Sequence, residues 1–343
     1  MYGETRNFMR HLTIKCVDTF TTKPFCGNPA GVITEAEGLS EEVMREIASG
    51  MKMNLVEIAF VTIPETGNAS FRIRFFTPSR ELDMSGHVTI ATCFALIEEG
   101  RIPLNDGLTK VIFETKVGHV PIAIYFQQDY PAVMPGKNDK NGMVLHLDGE
   151  RSGTLERIMM CERVHHFHPT NIPVRDIADV LGIDEFEITR TGLPFVRASH
   201  NLDWLIIPVQ HKETILNMHP DLIKLGILNR QYGIQTNHIF TLDTFDSESI
   251  TYSRHFGPAM GLWEDPASAI ASAGLGIYLL QYGMTSYTSM VMEQGKEISS
   301  LARILVEIDK NEGEIDAVWV GGLAVTSITR TIDVQSGEIV STS

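Results

Sequence analysis

The pattern of hydrophobic and polar positions in the first half of the chain predicts a strand-rich region that contains two helices. One helix is expected at 40–51, where Ser40 is followed by acidic residues in the first turn. A second is expected at 88–99, which is largely apolar and is followed by Gly100. The strands expected here lie at 11–20, 55–61, 71–76, 111–116 and 120–126.

The same order of elements recurs later in the chain, so the second half is expected to be a duplication of the first. A small-residue helix at 268–282 corresponds to the one at 88–99. Between the halves, 127–173 is rich in Pro and Gly and has no sustained period, which indicates a domain junction with an insertion. The remaining elements expected in the second half are helices at 172–181, 211–219 and 220–225 and strands at 186–190, 195–198, 204–209, 238–244, 249–256, 289–294, 301–308 and 317–334.

Two stretches of the chain are imperfect copies of one another, and each ends where a strand should pass into a helix. The first copy extends from Arg74 to Ala91 and the second from Arg254 to Ala271. Free N–H groups at such a helix start can hold an anion, so facing copies would form a two-sided anion site. The residues at the two helix starts are Ser85, Gly86, His87, Ser268, Ala269 and Ile270.

Composition narrows the class of protein. With 343 residues and 43% hydrophobic content, the chain is long enough for two domains with substantial cores. A net charge of −15 disfavours nucleic acid and anionic membranes as partners. The N-terminal residues lack a signal-peptide arrangement, and the 4 cysteines include no C-x-x-C pair, so we expect a cytoplasmic protein.

Glu57 is an acid in an apolar setting. Both faces of the strand expected at 55–61 are otherwise apolar, which leaves this side chain no obvious solvent face. Burial penalises the charged form of a carboxyl and raises its pKa, which suits a general acid or base working near neutral pH. The alternative is an edge strand from which Glu57 reaches water.

Asp265 and His87 stand beside the two expected helix starts. Each residue has a structural interpretation, because Asp is a common helix cap and a histidine near a helix start is often a hydrogen-bonded structural group. Their positions at equivalent ends of a duplicated unit favour a functional role for both.

Several short segments, spread over most of the chain, share one family's pattern. They are Val17–Phe20, Gly27–Val32, Asn54–Val61, Arg74–Pro78, Glu81–Leu82, Gly86–Ala91, Glu264–Ala267, Glu293–Gly295 and Val320–Gly322. In these segments the chain resembles the phenazine-biosynthesis isomerase family, often called PhzF-like, which shares the diaminopimelate epimerase fold. The resemblance implies an α+β protein of two similar domains, each a curved, mostly antiparallel, barrel-like sheet around a central helix.

The resemblance also implies a domain organisation. The first domain is expected at 11–128, completed by the C-terminal segment 329–343, and the second at 129–328 with an insertion at 129–172. The active site is expected in the cleft between the two domains. A homodimer is expected from the resemblance alone.

Roles for individual residues follow from the same resemblance. Glu57 is expected to shuttle a proton while His87 and Asp265 position the substrate. Family enzymes act in this way on a dihydro-hydroxyanthranilate, a small molecule, with no metal or organic cofactor. One carboxyl in a dry cleft can take a proton from one carbon and return it to another. The residues expected to contact the substrate are Ser85, Gly86, Asn28, Ser268, Ala269 and Ile270.

Two departures from the family pattern concern the substrate. Ala269 and Ile270 stand where the family usually has Gly and Ser, which makes this helix start narrower and more apolar. Ser299–Ala302 replaces a Gly-Arg-Pro-Ser segment, and Arg303 comes three residues late, which on a strand places it on the opposite face. We therefore expect a less anionic or more hydrophobic substrate, such as a secondary-metabolite intermediate.

Other functions stay open. The chain could keep the fold but serve as a catalytically silent ligand-binding or assembly protein, or it could use one base in an epimerase, cyclase or lyase reaction. A two-base racemase is disfavoured, because Ser85 and Ser268 stand where related epimerases carry thiols, and a hydroxyl is a far weaker base.

Two further sequence patterns were weighed as a metal site and a phosphate-binding loop, and neither predicts a bound cofactor. Zinc ligands are conceivable near Cys161, but structural zinc sites usually show two paired clusters, so we expect no metal. The accompanying histidines are His165, His166 and His168. The segment 27–31 lacks the glycine spacing and lysine of phosphate-binding loops, so a tight turn in the loop 21–29 is expected there.

Overall fold

A computed structural model describes residues 9–50, 57–128, 142–147, 151–163, 165–199, 202–297, 301–335 and 338–342. The chain forms two compact units. The first unit consists of Met1–Met160 with Gly322–Ser343, and the second of Cys161–Gly321. The domain boundaries expected from the sequence, at 128/129 and 328/329, stay predictions. Among the described residues, no helix is long and apolar enough to span a membrane.

The first unit begins with strands and contains two helices. Its described elements up to the junction are β1 (Met9–Thr19), β2 (Asn28–Ile33), α1 (Glu41–Gly50), β3 (Ile58–Thr62), β4 (Phe71–Phe76), β5 (Glu81–Leu82), α2 (Gly86–Glu98), β6 (Gly107–Thr115), β7 (Gly118–Gln128), β8 (Met143–Leu147) and β9 (Arg151–Glu162).

The second unit carries more helices. Its described elements are β10 (His166–Pro169), α3 (Val174–Leu181), α4 (Glu185–Thr189), β11 (Val196–Ser199), β12 (Asp203–Pro208), α5 (Lys212–Asn217), α6 (Leu222–Tyr232), β13 (Thr236–Thr241), β14 (Thr251–Gly257), a 3₁₀ turn (Pro258–Met260), β15 (Leu262–Asp265), α7 (Ala269–Gln281), β16 (Ser289–Gln294), β17 (Ala302–Asn311) and β18 (Glu314–Gly322). The chain then returns to the first unit with β19 (Ala324–Gln335) and β20 (Glu338–Thr342).

Strand pairing repeats between the two units. In the first, β1 pairs antiparallel with β2, β2 parallel with β3, β3 antiparallel with β4, β4 parallel with β6, and β6 antiparallel with β7. In the second, β11, β12, β13, β14, β16 and β17 follow the same order with the same directions. The short strands β5 and β15 pair with β4 and β14. The α+β class with two similar units is therefore confirmed.

The strands of each unit surround one nearly all-apolar helix. Helix α2 is buried at every residue from Val88 to Ile97 and packs against β1, β2, β3 and β19. Helix α7 is buried from Ala271 to Leu279. A helix that is apolar on every side belongs in a core, so each of these two helices is the centre of its unit.

The repeat also extends to a charged pair, which links β4 to β5 in the first unit and β14 to β15 in the second. Arg74 donates from Nε and from an Nη atom to the two carboxylate oxygens of Glu81, at 2.8 and 2.9 Å. Arg254 makes the same two contacts with Glu264, also at 2.8 and 2.9 Å. Such paired hydrogen bonds fix orientation as well as distance. They hold the acidic turn that precedes each central helix.

Some sequence expectations were wrong. The segment 186–190, expected as a strand, belongs to helix α4, because the Asp184 side chain accepts from the Phe186 N–H and caps the helix. The turn expected at 27–31 is mostly strand, since β2 begins at Asn28. Here the pairing with β1 and β3 overrides the Gly and Pro residues.

Part of the insertion expected at 129–172, namely 129–141, 148–150 and 164, lies outside the described residues. Its described part contains three strands that the sequence did not indicate. Of these, β9 pairs antiparallel with β7 and with β8, and β10 pairs with β11. The lack of a regular hydrophobic period in this stretch therefore does not mean a lack of strands.

Candidate functional site

Glu57 lies directly before β3. Its carbonyl oxygen accepts a 3.0 Å hydrogen bond from the N–H of Gly31 in β2, which fixes its backbone. Because β3 pairs with β2 on one side and β4 on the other, the alternative of an edge-strand acid is wrong. The strand expected at 55–61 begins at Ile58, and 51–56 lie outside the described residues.

The carboxyl group of Glu57 is largely removed from water. Its side chain is 20% exposed, and Oε2 is buried without a hydrogen-bond partner in the described part of the chain. Burial raises the pKa of Glu57 above its ordinary value of 4.5, against the smaller lowering effects of a hydrogen bond from Ser85 and the charge of Arg80. A carboxyl that holds its proton more tightly can both accept and release one nearer neutral pH.

Ser85 and His87 lie next to this carboxyl. Ser85 is the N-cap residue of α2, but its hydroxyl makes no cap hydrogen bond. Oγ of Ser85 lies 3.4 Å from Nδ1 of His87, and that Nδ1 lies 4.0 Å from Oε2 of Glu57. The structure therefore brings together three predicted residues. Gly86 is buried between two of them as the first residue of α2.

The second unit has no acidic residue at the position equivalent to Glu57. In the strand register, Phe60 pairs with Arg74 and Ile239 pairs with Arg254, which makes Thr236 the second-unit equivalent of Glu57. A hydroxyl stands where the first unit has a buried carboxyl. The candidate acid/base group therefore belongs to one unit only, in keeping with chemistry that uses a single base.

Asp265 ends β15 and begins the turn into α7. Its carboxylate oxygen Oδ1 accepts a 3.3 Å hydrogen bond from the Ala267 N–H. Its carbonyl oxygen accepts one from Nε2 of Gln294 at 2.8 Å, and Oε1 of Gln294 accepts one from the Ser268 N–H at 3.1 Å. The turn is thus tied both to itself and to β16.

The start of α7 is less polar than the start of α2. Ser268 is the N-cap residue and its hydroxyl makes no cap hydrogen bond. Ala269 is buried and Ile270 is half-buried. Ser268, Ala269 and Ile270 thus lie on one turn with Asp265, as expected, but with an apolar side chain where α2 presents His87.

Asn28, the remaining predicted contact residue, is buried at the start of β2. Its carbonyl oxygen accepts a 3.0 Å hydrogen bond from Oγ1 of Thr19. Gly27, with φ of +67°, precedes it, and an added Cβ would lie 2.1 Å from the carbonyl oxygen of Thr19. Only glycine fits so close a backbone approach at this position.

Arg303 makes ion pairs with two acidic side chains. One of its Nη atoms lies 3.0 Å from Oδ2 of Asp246, and the other lies 3.6 Å from Glu248. Both acids are in the turn that follows β13. In this structure Arg303 anchors a loop, so its late position in the sequence has a structural explanation.

Two buried histidines in the second unit were missed by the sequence reasoning. His238 and His255 face each other across β13 and β14, with their Nδ1 atoms 3.2 Å apart. Burial lowers the pKa of His255 to about 3 and that of His238 well below its usual range. The equivalent first-unit residues are Ala59 and Phe75, which are apolar.

No role for Gln294 could be predicted from the sequence either. Its contacts lie 26 and 29 residues away along the chain, too far for any local pattern to indicate them. Among the described residues, no group of three or more His, Cys, Asp or Glu side chains is arranged to hold a metal ion.

The family model for phenazine biosynthesis-like proteins matches residues 17–330. The chain belongs to this family. The Bacillus subtilis protein named uncharacterized isomerase YfhB is 30% identical over 95% of this chain and 100% of its own. A Schizosaccharomyces pombe protein, antisense-enhancing sequence 1, is 28% identical over 94% of this chain and 98% of its own.

Solved structures agree with this assignment. A PhzF-family protein of Bacillus anthracis has a TM-score of 0.78 at 28% identity and covers 95% of this chain and 99% of its own. A hydroxyproline epimerase of Agrobacterium vitis, with a TM-score of 0.61 at 11% identity over 96% of this chain and 93% of its own, shares the fold. Relatives named as isomerases support isomerase activity for this chain in general terms.

Proposed function

We propose that the protein is a cofactor-independent isomerase in which Glu57 takes a proton from a carbon atom of a small molecule and returns it to another. The observation that carries this proposal is the buried Oε2 of Glu57, which lies 4.0 Å from Nδ1 of His87 in a site that raises its pKa. Membership of a family whose relatives are named isomerases supports it.

The proposed transfer balances without a second reactant. The ionised Glu57 accepts the proton as the carbon–hydrogen bond breaks, and the electron pair moves into the substrate's conjugated frame. The same carboxylic acid then protonates a second carbon, so no net charge or oxidation state changes. Because burial favours the neutral acid, the protonated intermediate state of Glu57 is stabilised in this site.

The neighbouring groups have supporting roles in this proposal. The Ser85 hydroxyl and the His87 ring orient the carboxyl and contact the substrate, and Gly86 lets the substrate approach the α2 start. Asp265 positions the substrate, and Asn28 contributes to binding. Charge development on the substrate is stabilised by N–H groups at a helix start, which act as fixed dipoles.

The substrate we propose is less anionic or more apolar than the family's named one. Ile270 motivates this, because its half-buried side chain stands at the α7 position that corresponds to His87. An intermediate of secondary metabolism fits such a site. The protein would act as a homodimer in the cytoplasm, without nucleic acid or membrane partners.

A second candidate is a catalytically silent ligand-binding or assembly protein, which the apolar Ile270 favours. A further one is a single-base epimerase, cyclase or lyase, since the same proton abstraction can begin each of these reactions. The products distinguish the reactions, and the presence or absence of turnover distinguishes an enzyme from a binding protein.

Solvent deuterium incorporation tests the proposal and can itself reveal the substrate. The protein is incubated in D₂O with small-molecule extracts and with dihydro-hydroxyanthranilate, and mass spectrometry detects compounds that gain one mass unit. We expect incorporation with the wild-type protein, because the 20% exposed Glu57 side chain can exchange its proton with D₂O before redelivery, and loss of it with Glu57→Gln. Glu162→Gln is the matched control, because Glu162 is another buried acid with a raised pKa. A compound that binds without exchange or conversion would favour the silent protein.

A further inference from the structure

We propose that Gln294 is a positioning residue that fixes the turn from Asp265 to Ser268. Its side-chain amide joins the two ends of this turn, since it donates to the carbonyl oxygen of Asp265 at 2.8 Å and accepts from the Ser268 N–H at 3.1 Å. The side chain is fully buried, so water does not compete for either contact.

The residues on either side of Gln294 contact two neighbouring segments, the loop at 245–246 and the turn from Asp265 to Ser268. Glu293, also fully buried, accepts hydrogen bonds from the N–H groups of Phe245 and Asp246 at 2.8 and 2.9 Å. Gly295 has φ of +80°, and an added Cβ would lie 2.1 Å from the carbonyl oxygen of Pro266. The backbone therefore passes directly against the middle of the turn whose ends Gln294 ties.

Among the described residues, the first unit repeats the hydrogen bonds of Glu293 but not those of Gln294. Glu114, the equivalent of Glu293 on β6, binds the N–H groups of Glu65 and Thr66 at 3.2 and 2.9 Å, so this anchor is duplicated. The equivalent of Gln294 is Thr115, which instead donates to the carbonyl oxygen of Gly118 at 3.0 Å.

The side-chain contacts of Gln294 thus occur in the unit that contains Asp265, and Thr115 makes no equivalent contact among the described residues. A contact that served only the fold would be expected in both units. A contact that places Asp265 is expected only in the second unit. The contact also occupies the Ser268 N–H, which is therefore not available to an anionic ligand. The functional meaning of this arrangement rests on the proposed function, but the positioning itself can be measured without a substrate.

The test is backbone amide hydrogen exchange by NMR at Ser268. Gln294→Leu removes both contacts, and Gln294→Glu keeps the acceptor but places a carboxylate oxygen against the Asp265 carbonyl at high pH. Thr115→Val is the matched control, because it removes one buried hydrogen bond at the equivalent place in the repeat. The Thr89 N–H, bonded to the Ser85 carbonyl at 3.0 Å, reports on the first central helix.

We expect Gln294→Leu to lower the protection of Ser268 by about tenfold or more, the loss of roughly one buried hydrogen bond, while Thr89 and the control change little. In Gln294→Glu at pH 8, repulsion between the carboxylate and the Asp265 carbonyl should push the side chain out of the turn, so that the Ser268 contact is lost too and protection falls below wild type. Protection should recover near pH 5, where the neutral acid can donate again.

Unchanged Ser268 protection in Gln294→Leu would overturn the proposal. So would an equal loss at Thr89, which would mean general destabilisation. If Gln294→Leu does not fold, the pH-dependent recovery in Gln294→Glu decides alone, and its absence rejects the positioning role. Because no turnover is measured, failure here is distinct from failure of the proposed isomerase activity.

Discussion

Nδ1 of His87 lies 4.0 Å from Oε2 of Glu57, while the same ring nitrogen lies 3.4 Å from Oγ of Ser85. Glu57 lies directly before β3, and His87 lies in the first turn of α2, so these two side chains come from different elements. The 4.0 Å separation is longer than a direct hydrogen bond and leaves the carboxyl able to receive a proton from another atom.

A change at His87 should affect catalysis more than folding. We expect His87→Asn to lower the rate of solvent deuterium exchange by roughly tenfold to a hundredfold, because the carboxyl loses the ring that orients it and the substrate. The thermal midpoint should change little, since His87, whose side chain is 13% exposed, is not among the buried residues of α2. Unchanged exchange in His87→Asn would remove the residue from the site.

Removing the charge of Glu57 should stabilise the fold. The folded state raises the pKa of Glu57 above 4.5, so the folded protein binds this proton more tightly than the unfolded chain does. Stability is therefore lost as pH rises above 4.5 through the raised pKa. We expect Glu57→Gln to have a higher thermal midpoint than wild type at pH 8 and a similar one at pH 4.

Calorimetry at several pH values measures this difference, with Glu162→Gln as a second buried acid for comparison. A lower midpoint for Glu57→Gln at pH 8 would contradict the dehydrated-carboxyl assignment. It would show that the charged form makes net favourable contacts, as a structural acid does.

The histidine pair should make the second unit sensitive to acid. The pKa of His255 falls to about 3 on folding from an ordinary value of 6.5, so the unfolded chain binds the proton more tightly between these values. Stability is present above pH 6.5 and is lost as pH falls toward 3. We expect a loss approaching about 1.4 kcal/mol per pH unit from His255 within that window, and the lowered pKa of His238 acts in the same direction.

The repeat supplies the matched variant for this prediction, because Phe75 occupies the first-unit position equivalent to His255. His255→Phe should weaken the pH dependence of unfolding between pH 4 and 6, as measured by urea denaturation at each pH. An unchanged pH dependence would mean that other groups control the acid response.

The two arginine–glutamate pairs should differ in their contribution to stability. Arg254 is 8% exposed and also donates to the carbonyl oxygens of Ile215 and Met218, whereas Arg74 is 19% exposed. Breaking a buried pair leaves an uncompensated charge, and removing one partner typically destabilises by about 3–5 kcal/mol. We expect Arg254→Met to approach this range and Arg74→Met to fall below it.

Urea midpoints of the two variants provide the comparison, with Glu264→Gln and Glu81→Gln as the reciprocal changes. Similar losses for both arginines would show that burial does not set the strength of these pairs. The difference matters for the site because each pair holds the turn before its central helix.

The repeated order of elements could be predicted from the sequence, because hydrophobic periodicity and small-residue helices are local signals. Helix α4 was missed, since 186–190 alternates like a strand and the Asp184 cap decides its structure. Strand β2 was missed because its pairing partners, not its own Gly and Pro residues, determine it.

Part of the candidate site could be predicted in the same way. Glu57 could be predicted because an acidic residue within an apolar run is unusual, and His87 could be predicted because it lies in a repeated motif. Gln294 could not be assigned a role, because its contacts with Asp265 and Ser268 connect distant parts of the chain. His238 and His255 meet only once β13 and β14 pair.

The most direct test of the central claim is the pH dependence of deuterium exchange into the substrate, measured for wild type, Glu57→Gln and Glu57→Asp. We expect the wild-type rate to rise with pH through the raised pKa of Glu57, where the carboxylate base forms. Glu57→Gln should lose the exchange by at least about a hundredfold while still binding the compound, and Glu57→Asp should keep a fraction of it. Exchange that persists in Glu57→Gln with an unchanged pH profile would contradict the assignment of Glu57 as the base.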